Sequence, residues 1–126
     1  GIIGLKAGIE FIESKGIKNI HQKEMRLLKK IIDGLTALPG IKVYGKKEAA
    51  KRTAVTAFNL EGISSNQLAF KLQHDYQLQL RGGLHCAPLL HKFLGTDKQG
   101  MLRLSPGYFN TDAEVNEFLN ILDSII

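Results

Sequence analysis

One cysteine in 126 residues rules out an internal disulfide, so the fold must rest on packing, and a free thiol points to a reducing compartment such as the cytoplasm. No apolar run approaches the roughly 20 residues that cross a bilayer. The N-terminus also lacks the basic region, hydrophobic stretch and cleavage site of an export signal. Neither a membrane protein nor an exported one is expected. Internal repeats, low-complexity tracts and convincing linkers are lacking too, which leaves a single domain over residues 1–126.

What is present suffices for a core: 44% of the residues are hydrophobic, and a chain of this size buries one without staples. The first residue is Gly1, and a helical pattern begins at once, as expected of a piece of something longer. The formal charge of +5 comes from 17 Lys and Arg against 12 Asp and Glu. Clustered cations would suggest a phosphate backbone as partner. Here the densest groups, Lys29-Lys30 and Lys46-Lys47 with Lys51-Arg52, carry no interleaved aromatic residues. They read as solvated faces, and no nucleic-acid partner is expected.

Residues 1–38 read as a helical segment with a break near Gly16. Ile2, Leu5, Ile9 and Ile12 precede the break, and Met25, Leu28, Ile31, Ile32 and Leu35 follow it at helical spacing. Asn19 with Gln22 suggests a capping box for the second helix, which Pro39-Gly40 ends. Two strands are predicted at Ile41–Tyr44 and Thr53–Leu60, on their β-branched and aromatic content. Ser64 and Gln67 form a capping box for a helix to about Tyr76, with Ile63 stapling onto Leu68. Alternation predicts two more strands, around Leu78 to Arg81 and Met101 to Ser105, each with leucines on one face and an arginine on the other. Thr111 and Glu114 cap a final helix whose stripe is Val115, Phe118, Leu119, Leu122, Ile125 and Ile126. This order predicts an α+β domain: a mostly antiparallel sheet of about four strands with helices packed on one side.

The stretch from Arg81 to Thr111 carries the candidate chemistry. Gly82-Gly83 permits a compact or mobile loop. Pro88 suits the first turn of a short helix through Leu94, which places Cys86 at or just before a helix N-terminus, beside His85 and five residues from Arg81. Those are the surroundings of a nucleophilic cysteine; a merely buried thiol is the alternative. His85, Cys86 and His91 match no strong zinc spacing, so no metal is expected. If their strands are neighbours, Arg81 and Arg103 converge on a shared anion, since paired guanidinium groups grip a carboxylate well; two unrelated surface arginines are the alternative.

The runs Arg81-Gly82-Gly83-Leu84-His85-Cys86-Ala87-Pro88, Leu94-Gly95-Thr96 and Arg103-Leu104-Ser105-Pro106-Gly107-Tyr108-Phe109-Asn110-Thr111 resemble the C-terminal part of class V aminotransferase-fold enzymes. The resemblance is to the cysteine desulfurases and selenocysteine lyases, and it extends over the whole chain. It implies the small C-terminal domain of a fold-type I enzyme that uses pyridoxal 5′-phosphate. L-cysteine is then the substrate, alanine the product, and Cys86 the acceptor that leaves as a persulfide.

By the same resemblance Arg103 holds the substrate's α-carboxylate, Arg81 supports it, and His85 has a supporting place beside the cysteine. The Schiff-base lysine, the partner of the pyridine nitrogen and the phosphate-binding loop belong to a large domain absent from this chain. No residue here is therefore expected to bind the cofactor. The whole protein is expected to be an enzyme, a homodimer that passes sulfur to an unidentified acceptor protein, and this piece alone to be inactive. Gly82 replaces the threonine or serine common in relatives, which is expected to loosen the loop. The competing readings are a selenocysteine lyase, another pyridoxal-phosphate lyase or aminotransferase of class V, and a non-catalytic basic binding module.

Overall fold

In a computed structural model describing residues 1–46 and 48–126, Gly16 separates helix α1, Ile2–Lys15, from helix α2, Ile17–Ala37. Lys47, half of one basic pair noted above, lies outside the described residues. The expected Asn19–Gln22 capping box does not form. The helix has already started at Ile17, and the Asn19 amide instead donates to the carbonyl of Lys15 at 2.9 Å. Helix α2 buries Leu27, Leu28, Ile31, Ile32 and Leu35 and gives way at Leu38 to extended backbone before Pro39.

Strand β1, Ile41–Tyr44, pairs antiparallel with β2, Thr56–Leu60, in the register Val43 opposite Phe58. Strand β2 starts later than the predicted Thr53. A 3₁₀ turn at Ala49–Lys51 takes up the connection, and the Arg52 guanidinium donates to the Tyr44 carbonyl at 2.7 Å and to the Thr56 hydroxyl at 3.1 Å. One member of the basic cluster is thus spent on holding two strand ends together. The other dense group, Lys29-Lys30, is paired as well: Lys29 with Asp33, and Lys30 with Asp112.

Helix α3, Ser65–Tyr76, opens with the expected Ser64–Gln67 capping box, and Ile63 and Leu68 both reach the core. Helix α4 spans Pro88–Leu94, and β3, Leu102–Leu104, adds to β2 to give the antiparallel order β1-β2-β3. Helix α5, Asp112–Ile125, begins at a complete Thr111–Glu114 capping box.

The fold is therefore α+β, with three strands where about four were expected. The segment Leu78 to Arg81 contributes only an isolated bridge between Arg81 and Arg103. Continuing that register would bring Leu80 opposite Leu104 and Leu78 opposite Pro106, but no ladder forms beyond Arg81. A crevice lined by Leu78, Leu80, Leu104 and Pro106 opens there instead.

The core forms on one face of the sheet. Phe58, Leu60 and Leu102 meet Leu27, Ile31 and Leu35 of α2, Leu68 and Leu72 of α3, and Val115, Phe118 and Leu122 of α5. Each such side chain contributes about 1.5–3 kcal/mol relative to exposure. Phe58 and Phe118 meet edge to face, centroids 6.2 Å apart. Helix α1 takes no part: none of its residues is buried, and Ile2, Leu5, Ile9 and Ile12 are exposed. Phe11 links it to the domain, meeting Tyr108 edge to face and Phe109 at a tilt. The opposite face of the sheet carries Ala57, Asn59 and Arg103, and the candidate site is built there.

Candidate functional site

Alternation along β3 turns Leu102 and Leu104 into the core and Arg103 away from it. Arg81 lies directly opposite, and the two residues exchange both backbone hydrogen bonds, Arg81 N to Arg103 O at 3.2 Å and Arg103 N to Arg81 O at 2.8 Å. Residues paired in this way send their side chains out on the same face. On the far side of Arg103 the register places Ala57, whose methyl leaves room for the guanidinium. Arg81 is exposed and Arg103 half-buried, and neither joins an ion pair among the described residues. Like charges directly opposite repel, so an anion that bridges them is favoured. The two arginines are backbone neighbours, which is the condition the anticipated convergence required.

From Arg81 the chain passes through Gly82 and Gly83 into a tight turn, closed by the Ala87 N–H on the Leu84 carbonyl at 2.9 Å. Its two central residues, His85 at φ +51° and Cys86 at φ +59°, are both left-handed. That is the pattern of a type I′ turn, which normally selects glycine or asparagine. Strain of this kind on non-glycine residues persists only where the surroundings impose it. Cys86 is a free, exposed thiol at the turn's apex, one residue before Ala87, the N-cap of α4. Within this chain the thiol is not the buried hydrophobe weighed as the alternative.

His85 ties the turn to the sheet. Its Nε2–H donates to the Met101 carbonyl at 2.9 Å, while its Nδ1 is buried without a partner. Burial pushes the imidazole below the usual histidine range. The bond to Met101 opposes that shift, and the positive charges of Arg103, Arg81 and His91 reinforce it. His85 is therefore a neutral ring held beside two arginines. His91, weighed above as a metal ligand, is buried, with Nδ1 bonded to the Thr96 hydroxyl at 2.9 Å, and so braces the chain leaving α4. Among the described residues no three His, Cys, Asp or Glu side chains stand together as a metal site.

The loop is tighter than Gly82 suggested. A Cβ at Gly82 would lie 2.5 Å from the Ser65 carbonyl oxygen, so the glycine seats the strand against the first turn of α3. Ser65 itself was missed in the sequence. Its hydroxyl contacts Gly83 and Gln99, two segments distant along the chain, and the adjacent serines Ser64-Ser65 read simply as a helix start. No described lysine is buried within this chain.

A family model described as aminotransferase class V matches residues 1–118. A probable cysteine desulfurase of Pyrococcus abyssi is 34% identical over 126 residues, which is 100% of this chain and 30% of the relative. A cysteine desulfurase of Thermococcus onnurineus NA1, solved in its apo form, superposes with a TM-score of 0.93 at 34% identity, covering 100% of this chain and 30% of that one. The Escherichia coli cysteine desulfurase CsdA, solved as an S-sulfonic acid, superposes with a TM-score of 0.83 at 27% identity, covering 98% of this chain and 29% of that one. The chain thus spans about 30% of the length of the relatives it matches.

Proposed function

The chain belongs to the aminotransferase class V family, and on that basis we propose that it is the C-terminal, sulfur-accepting domain of a pyridoxal-phosphate-dependent cysteine desulfurase. The observation that carries this reading is the exposed Cys86 thiol on a strained turn, joined through Gly82 and Gly83 to the Arg81–Arg103 pair.

The division of labour follows from the residues. Arg103, with Arg81 beside it, holds the α-carboxylate of L-cysteine by charge-assisted hydrogen bonds. Cys86 takes the substrate sulfur: L-cysteine and the Cys86 thiol become L-alanine and a Cys86 persulfide, with no external oxidant or reductant. His85, neutral and bonded to Met101, holds the turn without adding a third positive charge. The cofactor, bound by the rest of the protein, supplies the electron sink that loosens the carbon–sulfur bond.

An exposed Cys86 leaves the persulfide open to a thiol of an acceptor protein. A lone free thiol suits the cytoplasm, and no helix among the described residues is long and apolar enough to cross a membrane. The exposed isoleucines of α1 and Leu89, Leu90 and Phe93 of α4 form apolar surface for the remainder of the protein and for the second subunit of a homodimer.

The test is an assay of the full-length protein for the visible cofactor band and for alanine and sulfide released from L-cysteine, beside Cys86→Ala. With a dithiol added to reduce the Cys86 persulfide, the expected result is stoichiometric alanine and sulfide in the parent, and loss of sulfide with the band retained in the variant. Unchanged turnover in Cys86→Ala would defeat the reading.

A further inference from the structure

The residues of the proposed site come from two segments, 81–86 and 99–103, and both pass through one buried hydroxyl. Ser65, the first residue of α3, is 3% exposed. Its Oγ–H donates to the Gln99 carbonyl at 2.7 Å, and the same oxygen accepts the Gly83 N–H at 3.0 Å. The Ser65 N–H adds a second bond to the Gln99 carbonyl at 3.2 Å. From this point the connections run outward to the chemistry. The Gly83 carbonyl accepts from Met101 N at 3.0 Å, and the Met101 carbonyl accepts from His85 at 2.9 Å, next to Cys86.

Nothing larger fits around the hydroxyl. A Cβ at Gly100, where φ is +67°, would sit 2.6 Å from Ser65 Oγ and 2.8 Å from the Gly83 carbonyl oxygen. The Gly82 backbone closes the other side, as described above. The junction therefore needs a side chain that both donates and accepts within a single atom of reach, which is what serine supplies.

We propose that Ser65 is a positioning residue for the desulfurase reaction, setting the Cys86 turn in register with the Arg81–Arg103 pair through its bonds to Gly83 and Gln99. The inference rests on the function proposed above. Without the hydroxyl, the Arg81–Arg103 bridge survives on its own backbone bonds, while the Gly83 N–H loses its partner and the turn that follows is free to tilt.

The experiment uses the full-length holoenzyme, Ser65→Ala, and Gly100→Ala, which crowds the same junction from the opposite wall. Measurements are kcat and KM for L-cysteine, the visible cofactor band, the melting temperature, and the rate of Cys86 alkylation by iodoacetamide well below melting. Both variants should keep the band, lose about 10- to 100-fold in kcat/KM, and change the alkylation rate several-fold in the same direction. Parental kinetics and alkylation alongside a lowered melting temperature would show Ser65 to be structural only and would overturn the proposal. If Ser65→Ala does not fold, Gly100→Ala decides by the same criteria. If the parent releases no alanine from L-cysteine, the functional reading falls, and the alkylation rates still decide whether Ser65 positions Cys86.

Discussion

Arg81 and Arg103 stand directly opposite each other at the edge of the sheet, their backbones joined by hydrogen bonds of 3.2 and 2.8 Å and their guanidinium groups leaving the same face. The arrangement costs repulsion in the absence of an anion and repays it when a carboxylate binds.

Arg103→Ala in the full-length enzyme should accordingly raise KM for L-cysteine by about 10- to 100-fold, the worth of a charge-assisted hydrogen bond. Arg103→Lys should not restore it, because an ammonium cannot grip a carboxylate at two points. Arg81→Ala should give a smaller rise, since Arg81 is the more exposed of the two. Removing either charge relieves the pair, so the melting temperature should not fall. A KM unchanged in Arg103→Ala would refute the carboxylate role.

His85 makes stability depend on pH in a definite direction. Its pKa in the folded protein is lowered, chiefly by burial, so between that value and the unfolded value near 6.5 the unfolded chain binds the extra proton. Stability is then complete above about pH 6.5 and declines as the pH falls toward the folded pKa, below which this contribution no longer changes. Denaturant titrations of the full-length protein at several pH values should show this slope, and His85→Asn should remove part of it. Asparagine is suited to the left-handed φ of the turn. A slope identical in the variant would mean that another group titrates there.

Gly82 lies too close to α3 for any side chain. Gly82→Ala should destabilise the full-length protein by about 1–3 kcal/mol, the usual cost of overpacking, because its new methyl would meet the Ser65 backbone at 2.5 Å. Equal denaturation midpoints for parent and variant would show that α3 moves freely.

Elements with local causes were legible. The Ser64–Gln67 and Thr111–Glu114 capping boxes formed as read, and Pro88 opened its short helix. The Asn19–Gln22 box failed because Gly16 had already set the helix start, a competition that residue types alone do not rank. The apolar stripe of α1 was visible too, but its period shows that a face exists and is silent on what covers it. For the site, Cys86, Arg81, Arg103 and His85 stood out by residue type and motif, whereas Ser65 did not, because its partners lie 18 and 34 positions away.

The division has a physical basis. Hydrophobic period, capping and turn residues act over a few positions, so the sequence by itself determined the helices, the first strand and which face of each later strand would carry leucine or arginine. Strand pairing and close approach depend on what the chain meets when it returns. Only the tertiary structure decided that Arg81 would pair with Arg103 while Leu78 and Leu80 diverged from their neighbours, that His85 and Cys86 would be held in left-handed turn positions, and that one serine hydroxyl would join the segments bearing the thiol and the arginines.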